Sequence, residues 1–331
     1  GWEIVGRVTF TGGAAPLSGE YLDPLSTQLT AFIAGTGETV LLNALLVQNL
    51  HTEVAILGFA GWFRRETLGT SNLRLPNDKD DRDKILELLN KLTRYTLTEK
   101  QTGNFLTREA NRHWIVAYAA VTGTDRSIGT ELIRDLLNSR HVVRIHLNFR
   151  NPQGVLEPNA IFNTENLVNA STPGVGSSTN VNLNNVDNYY TIVADRGTNW
   201  DNGLNWWSWG LNWPIGVTTR DERMPHHIIL GHELIHALRV TLGQYVLNEE
   251  PNKGYNFIKN LDGSIGYMPD PLQPYLPYRI SLEEFETMGV PYRLQLGGEV
   301  TFPTQWLITE NALRIEHDYP IRITRGGWIK E

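Results

Sequence analysis

His232-Glu233-Leu234-Ile235-His236 places two imidazoles four residues apart with a carboxylate between them. Four residues is about one helical turn, so in a helix both rings project from one face and can reach a single metal ion. Glu233 is displaced around the helix, where it can polarise a water instead of binding the metal. The flanks read as helix: Pro225 suits a first turn, Ile228, Ile229, Leu230, Leu234, Ile235, Leu238 and Leu242 make the segment mostly apolar, and Gly243 suits a stop. A helix this apolar belongs in a core, and burying two His and a Glu in it is costly unless they are paired or metal-bound. A satisfied core His pair is the bland alternative. The pattern favours zinc hydrolase chemistry, with one Zn2+ per chain.

Composition sets the frame. The 331 residues are 40% hydrophobic and 20% charged with a net charge of -7, enough for a sizeable core and without an electrostatic case for nucleic acid. No apolar run approaches the ~20 residues that span a bilayer, and no basic-then-apolar signal peptide opens the chain. Zero Cys excludes disulfides and thiolate ligands. Such a chain is also easy to unfold and thread through a secretion apparatus.

The wider pattern reads as α+β. Residues 39–57 suggest an apolar helix (Leu41, Leu42, Leu45, Leu46) then a strand (Val54, Ile56), and residues 130–147 repeat the design with Leu132, Ile133, Leu136 and Leu137, then Val143 and Ile145. Residues 78–99 carry a Leu86, Leu88, Leu89, Leu92 stripe among charges, the pattern of an amphipathic surface helix. Residues 151–188 are rich in Asn, Gly, Ser and Thr and read as a long loop or irregular hairpin between strands at 142–149 and 189–194. Trp200, Trp206, Trp207, Trp209 and Trp213 then concentrate five of the ten Trp, either as the lip of a substrate cleft or as rings capping the sheet. The expected organisation is an N-terminal α/β region over 1–120 and a catalytic domain over 121–331.

A third metal ligand is needed. A longer H-E-x-x-H-x-x-G-x-x-H motif would require a glycine and a histidine where Arg239 and Leu242 stand. Downstream, Ser281-Leu282-Glu283-Glu284-Phe285-Glu286-Thr287-Met288-Gly289 puts adjacent carboxylates on a short helix, as a second-helix ligand requires. The alternative reading is a capping box, Ser281 with Glu284. Asp262, in an Asp-Gly turn, is the rival ligand. Glu284 ranks first, then Glu283, then Asp262.

These segments, with Thr309-Glu310-Asn311-Ala312-Leu313-Arg314-Ile315-Glu316 and Pro320-Ile321-Arg322 after them, resemble in order the NleD-like effector metallopeptidases of bacterial pathogens. H-E-L-I-H followed by E-E-x-x-T-x-G is also similar to clostridial neurotoxin light chains, in which the second Glu of the pair binds zinc. The resemblance covers about residues 190–325. It implies a zincin-like metallopeptidase fold with a mixed sheet and an active-site helix, and zinc held by His232, His236 and Glu284. NleD-like proteins cleave host signalling kinases after injection. The resemblance thus implies a host protein substrate, with a signalling kinase as one candidate, and a secreted or injected protein acting in the host cytosol.

The implied chemistry assigns Glu233 as general base and leaves the oxyanion donor to be found among Arg314, Arg322, Tyr292 and Tyr319. Glu283 or Glu310 are the carboxylates that could orient the imidazoles. A strand before the active-site helix, at Ile215–Thr219, is the expected edge for an extended substrate. The competing function is a protein- or glycan-binding module using segment 200–213, with a purely structural zinc.

Overall fold

The computed structural model describes residues 28–33, 38–43, 71–102, 113–121, 126–184, 189–194, 219–259, 265–267, 276–301, 303 and 308–329. The chain divides into two compact units, Gly1–Thr70 and Ser71–Glu331. In the first, β1 (Gln28–Ile33) and β2 (Glu38–Asn43) pair antiparallel, Gln28 opposite Asn43. The helix expected from residue 39 is therefore a strand as far as Asn43. Thr39 and Val40 are β-branched and suit a pleated ribbon once a partner strand is present. The repeat read between 39–57 and 130–147 does not hold over these residues, because the second copy begins as helix. Residues 44–57 and the Trp-rich segment 200–213 lie outside the described residues.

The second unit is α+β, built on a six-stranded mixed sheet. Its strands are β3 (Leu73–Leu75), β4 (Tyr95–Gln101), β5 (Trp114–Val121), β6 (Val143–Leu147), β7 (Ala160–Phe162) and β8 (Thr179–Leu183), in the order β4-β5-β3-β6-β8-β7. The β3–β6 and β6–β8 pairs are parallel and the others antiparallel. Position 120 falls inside β5, which pairs with β3 and β4.

Helix α1 (Lys79–Leu92) starts where Asp78 accepts the Asp81 N–H at 3.1 Å, and it buries Ile85, Leu88, Leu89 and Leu92. Its opposite face carries exposed Lys79–Asp83 and Lys91–Glu87 pairs, the solvated face that the charge run predicts. Helix α2 (Ser127–Asn138) buries Leu132, Ile133, Leu136 and Leu137 ahead of β6, as the periodicity predicts.

The stretch read as a long loop or irregular hairpin holds the antiparallel pair β7 and β8, with the short helix α3 (Leu167–Ala170) between them, so the hairpin alternative is the one found. Asn182 shows why composition alone left loop and hairpin undivided. It is fully buried in β8, where its amide donates to the carbonyls of Glu157 and Pro158 at 2.8 and 2.9 Å and its oxygen accepts the Phe149 N–H at 2.9 Å. An Asn-rich strand here braces a loop from within the sheet, and composition cannot distinguish that from the loop itself.

Helix α4 (His226–Leu242) carries the H-E-L-I-H segment and packs against β8, α1, α2 and the later helix α6 (Glu310–Glu316). Every residue from Ile228 to Thr241 is buried, so a helix apolar on all sides is a core helix. Gly243 ends it at φ 75, where a Cβ would lie 1.8 Å from the Thr172 carbonyl oxygen, so only glycine fits. Beyond it, β9 (Tyr189–Ala194) is the centre of an antiparallel sheet, flanked by β10 (Thr219–Arg223) and β17 (Arg322–Ile329). A four-stranded sheet, β14-β11-β15-β16, uses Arg279–Ser281, Lys253–Tyr255, Tyr292–Arg293 and Val300–Thr301, and β12 (Phe257–Lys259) pairs with β13 (Ile265–Tyr267). Helix α5 (Leu282–Met288) follows β14 directly. No helix among the described residues is long and apolar enough to cross a membrane.

Candidate metal centre

His232 and His236 project from one face of α4 with their Nε2 atoms 3.1 Å apart and their rings at 81°. Glu284 approaches from α5, its Oε2 3.6 Å from His232 Nε2 and its Oε1 3.9 Å from His236 Nε2. One ligand atom from each of the three lies within 4.8 Å of the others. Ser281 caps α5, its side chain accepting the Glu283 N–H at 3.3 Å, while Glu284 turns to the imidazoles. The serine thus caps without drawing Glu284 back to itself.

Consecutive residues on a helix point about 100° apart, and Glu283 and Glu284 use that difference. Glu283 reaches the outer side of the pair: its Oε1 accepts from His236 Nδ1 at 3.0 Å and from Arg239 Nε at 2.9 Å, and its Oε2 accepts the Val246 N–H at 2.8 Å. His232 has its own carboxylate, its Nδ1 donating to Glu310 Oε2 at 2.8 Å. Glu310 begins α6 fully buried, and Arg314 Nε and Arg322 Nη1 donate to it at 2.8 and 2.6 Å. Burial alone would raise its pKa; Arg322 and Arg314 overcome that and hold its carboxyl well below the usual range.

This arrangement settles the tautomers. An ionised carboxylate only accepts, so each Nδ1 carries the hydrogen and each Nε2 offers a lone pair to the space shared with Glu284. Two lone pairs facing at 3.1 Å beside a carboxylate repel unless positive charge lies between them. The same field acts on protons: burial opposes a charged His232, but its bonds to Glu284 and Glu310 prevail and push the imidazole up to about 10. The centre draws a cation to its Nε2 atoms. Two neutral imidazoles and a carboxylate are a donor set that fits zinc.

A cavity of about 560 Å3 opens over these residues, lined also by Glu233, Tyr245, Tyr278, Arg322 and, from edge strand β7, Ala160 and Ile161. Burial pushes the Glu233 carboxyl up, against the pull of His232 and His236. Burial, with Glu283, Glu284 and Glu233 nearby, pushes the Tyr245 hydroxyl up to about 12, so it stays a donor.

The structure gathers the sequence candidates selectively. His232, Glu233, His236 and Glu284 meet in the cavity, and Arg322 reaches its wall. Arg314 and Tyr319 do not line it. One turn after Glu310 on the same helix, Arg314 points inward with it; it is fully buried, donates to the Pro320 carbonyl at 3.2 Å and stands 3.6 Å from Glu222. Tyr319 packs on the main core, its ring stacked on His317 and 5.8 Å from His227. Tyr292 stacks on Phe285 at 4.9 Å in a smaller core. Asp262 and residues 215–218 lie outside the described residues. Thr219 opens β10, an edge of its own sheet, but the edge strands that line the cavity include β7 and β14 (Arg279–Ser281), and β10 does not line it. Tyr245 and Tyr278 were not singled out from the sequence. The one signal for Tyr245 is the Gly243 stop, which reverses the chain just before it.

No family model matches the chain, and no curated protein does. Among solved structures it is similar to the botulinum neurotoxin serotype HA light chain, at 15% identity and a TM-score of 0.21 over 74% of this chain and 43% of that one. It is similar also to an LHn fragment of botulinum neurotoxin type D, at 13% and 0.24 over 75% and 23%. The type D light chain matches at 13% and 0.22, over 85% of this chain and 50% of that one. The chain thus spans half or less of each of these three proteins.

Proposed function

We propose that the chain is a zinc-dependent endopeptidase of zincin-like fold. The observation that carries this reading is the pair of Nε2 atoms converging with Glu284 while Glu310 and Glu283 lie against both Nδ1 atoms. A structural zinc is normally closed by four protein ligands, whereas three ligand atoms converge here among the described residues, which favours the catalytic reading over a binding module. His232, His236 and Glu284 would hold the ion. When bound, zinc supplies Lewis-acid chemistry, acidifying water and polarising a carbonyl.

The chain's own groups do the rest. Glu233, with its carboxyl pushed up by burial, takes the proton of the attacking water and passes it to the leaving amine. Arg322, held by Glu310, and Tyr245 present donors from the cavity wall to the carbonyl oxygen as it gains charge. The outer edge of β7 offers main-chain groups to an extended peptide.

We further propose, from the resemblance to NleD-like effectors, a secreted or injected protein that cuts a host protein in the host cytosol, with a signalling kinase as the candidate. The test is mapping of new N-termini in host lysate treated with the zinc-loaded protein against a Glu233→Gln control. New termini unique to the wild type support the reading. Identical profiles would sink it.

A further inference from the structure

A second cavity, of about 740 Å3, adjoins the metal centre, and Tyr245 lines both. Val246, Leu247 and Leu282 give it apolar walls, and its one lining carboxylate is Glu286 of α5. Three residues after Glu283, Glu286 lies on that side of the helix and away from the direction of Glu284. It is half-buried, bonds to the Tyr292 hydroxyl, and makes no ion pair within 4 Å among the described residues. Against the upward push of burial, the charge of Arg239, which also lines the cavity, draws the Glu286 carboxyl down, but it stands beyond ion-pair distance: its Nε donates to Glu283 and its Nη2 to the Gln244 carbonyl at 3.0 Å.

A carboxylate drawn out of water beside apolar walls is costly unless a cation meets it. We infer that this cavity is the pocket for a Lys or Arg side chain of the substrate close to the scissile bond, with Glu286 meeting the charged head. The aliphatic stem of such a side chain lies along Leu247, Leu282 and Val246, while its head forms a charge-assisted hydrogen bond at Glu286. Because Tyr245 is a wall of both cavities, the residue it selects sits near the bond being cut. The inference rests on the endopeptidase reading and adds a substrate class: polypeptides with a basic residue beside the cleavage point.

Cleavage profiling tests it. Zinc-loaded protein is incubated with a peptide library cut after Glu, and the new ends are read by mass spectrometry. The wild type should enrich Lys and Arg at one position within about three residues of the cut, the reach of an extended chain between adjoining cavities. Glu286→Gln should lower the kcat/KM ratio of a Lys peptide over its norleucine counterpart by roughly 10–100-fold, the value of a hydrogen bond to a charged group. Glu286→Arg should turn the preference towards acidic residues. If the Glu286 variants fail to fold, Leu247→Trp, which puts a larger side chain on the cavity wall, should abolish the same ratio. Wild-type cleavage without basic preference, or an unchanged ratio in the variants, overturns the pocket alone. Absence of cleavage by any form, with Glu233→Gln indistinguishable from wild type, overturns the endopeptidase reading and the pocket with it.

Discussion

Four glutamates surround two imidazoles here, and position assigns each a different task. Glu233 is buried beside the metal centre without making up the ligand trio, so Glu233→Gln should keep zinc by metal analysis and keep its circular dichroism, while peptidase activity falls by ~10²–10⁴-fold. Undiminished turnover would remove it from the mechanism. Glu284→Ala should lose most of the zinc affinity. Glu283→Ala should retain zinc more strongly but lose ~10–100-fold in metal affinity or activity, since it leaves only Thr287 Oγ1, at 3.1 Å, to hold His236 Nδ1 and leaves the Val246 N–H without its acceptor. A titration in which Glu283→Ala binds zinc no better than Glu284→Ala would reverse the assignment. Glu310→Ala removes the carboxylate that both buried arginines, Arg314 and Arg322, bond, a loss of about 3–5 kcal/mol that should appear as a large drop in Tm.

The elements that carry these residues are locked by close approach. Gly231 precedes His232 on α4, and a Cβ there would stand 2.7 Å from Leu313 on α6 and 3.3 Å from Leu92 on α1. Gly231→Val should therefore push α6 away, lengthen the Glu310–His232 bond and lower both Tm and zinc affinity. Unchanged zinc affinity in a folded variant would show that α6 tolerates the shift. The periodicity of α1, α2 and α4 was readable because each buries an apolar stripe or an entire apolar surface, which residue type alone reports. The convergence of His232, His236 and Glu284 was readable because H-E-x-x-H is local and Ser281-Leu282-Glu283-Glu284 marks a helix start. What escaped was non-local. The hairpin of 160–162 with 179–183 joined the larger sheet through parallel pairing with β6, Asn182 was buried by loop carbonyls, and Arg314 was turned inward by Glu310. None of these depends on the residue's own neighbours in sequence, and a permanently charged Arg beside a metal motif looks catalytic until its counter-ions are seen.

Across the whole second unit, the helix packing also shapes the response to acid. His227, near the start of α4, sits 5.0 Å from the His317 ring, and burial followed by His317 holds its pKa down at about 3. The folded value lies below the ordinary 6.5, so the unfolded chain binds the extra proton between these limits. The stability from a neutral His227 is complete above pH 6.5 and is lost as pH falls towards 3. His227→Phe should flatten the acid limb of Tm against pH by an amount corresponding to about 1–3 kcal/mol; an unaltered slope would assign acid sensitivity to other groups. Chelation should lower Tm at neutral pH as well, because an ion bound only by the folded state stabilises it by mass action. The bonds that set the tautomers join residues 78 apart, His232 to Glu310, and 47 apart, His236 to Glu283. Such contacts form only when distant stretches of chain have closed on one another, so metal capture belongs to the end of folding. Refolding followed by zinc uptake and by tryptophan fluorescence should accordingly share its final rate constant. If the chain is the endopeptidase proposed above, a copy still unfolded has no assembled centre and cuts nothing, so its latency is a matter of timing.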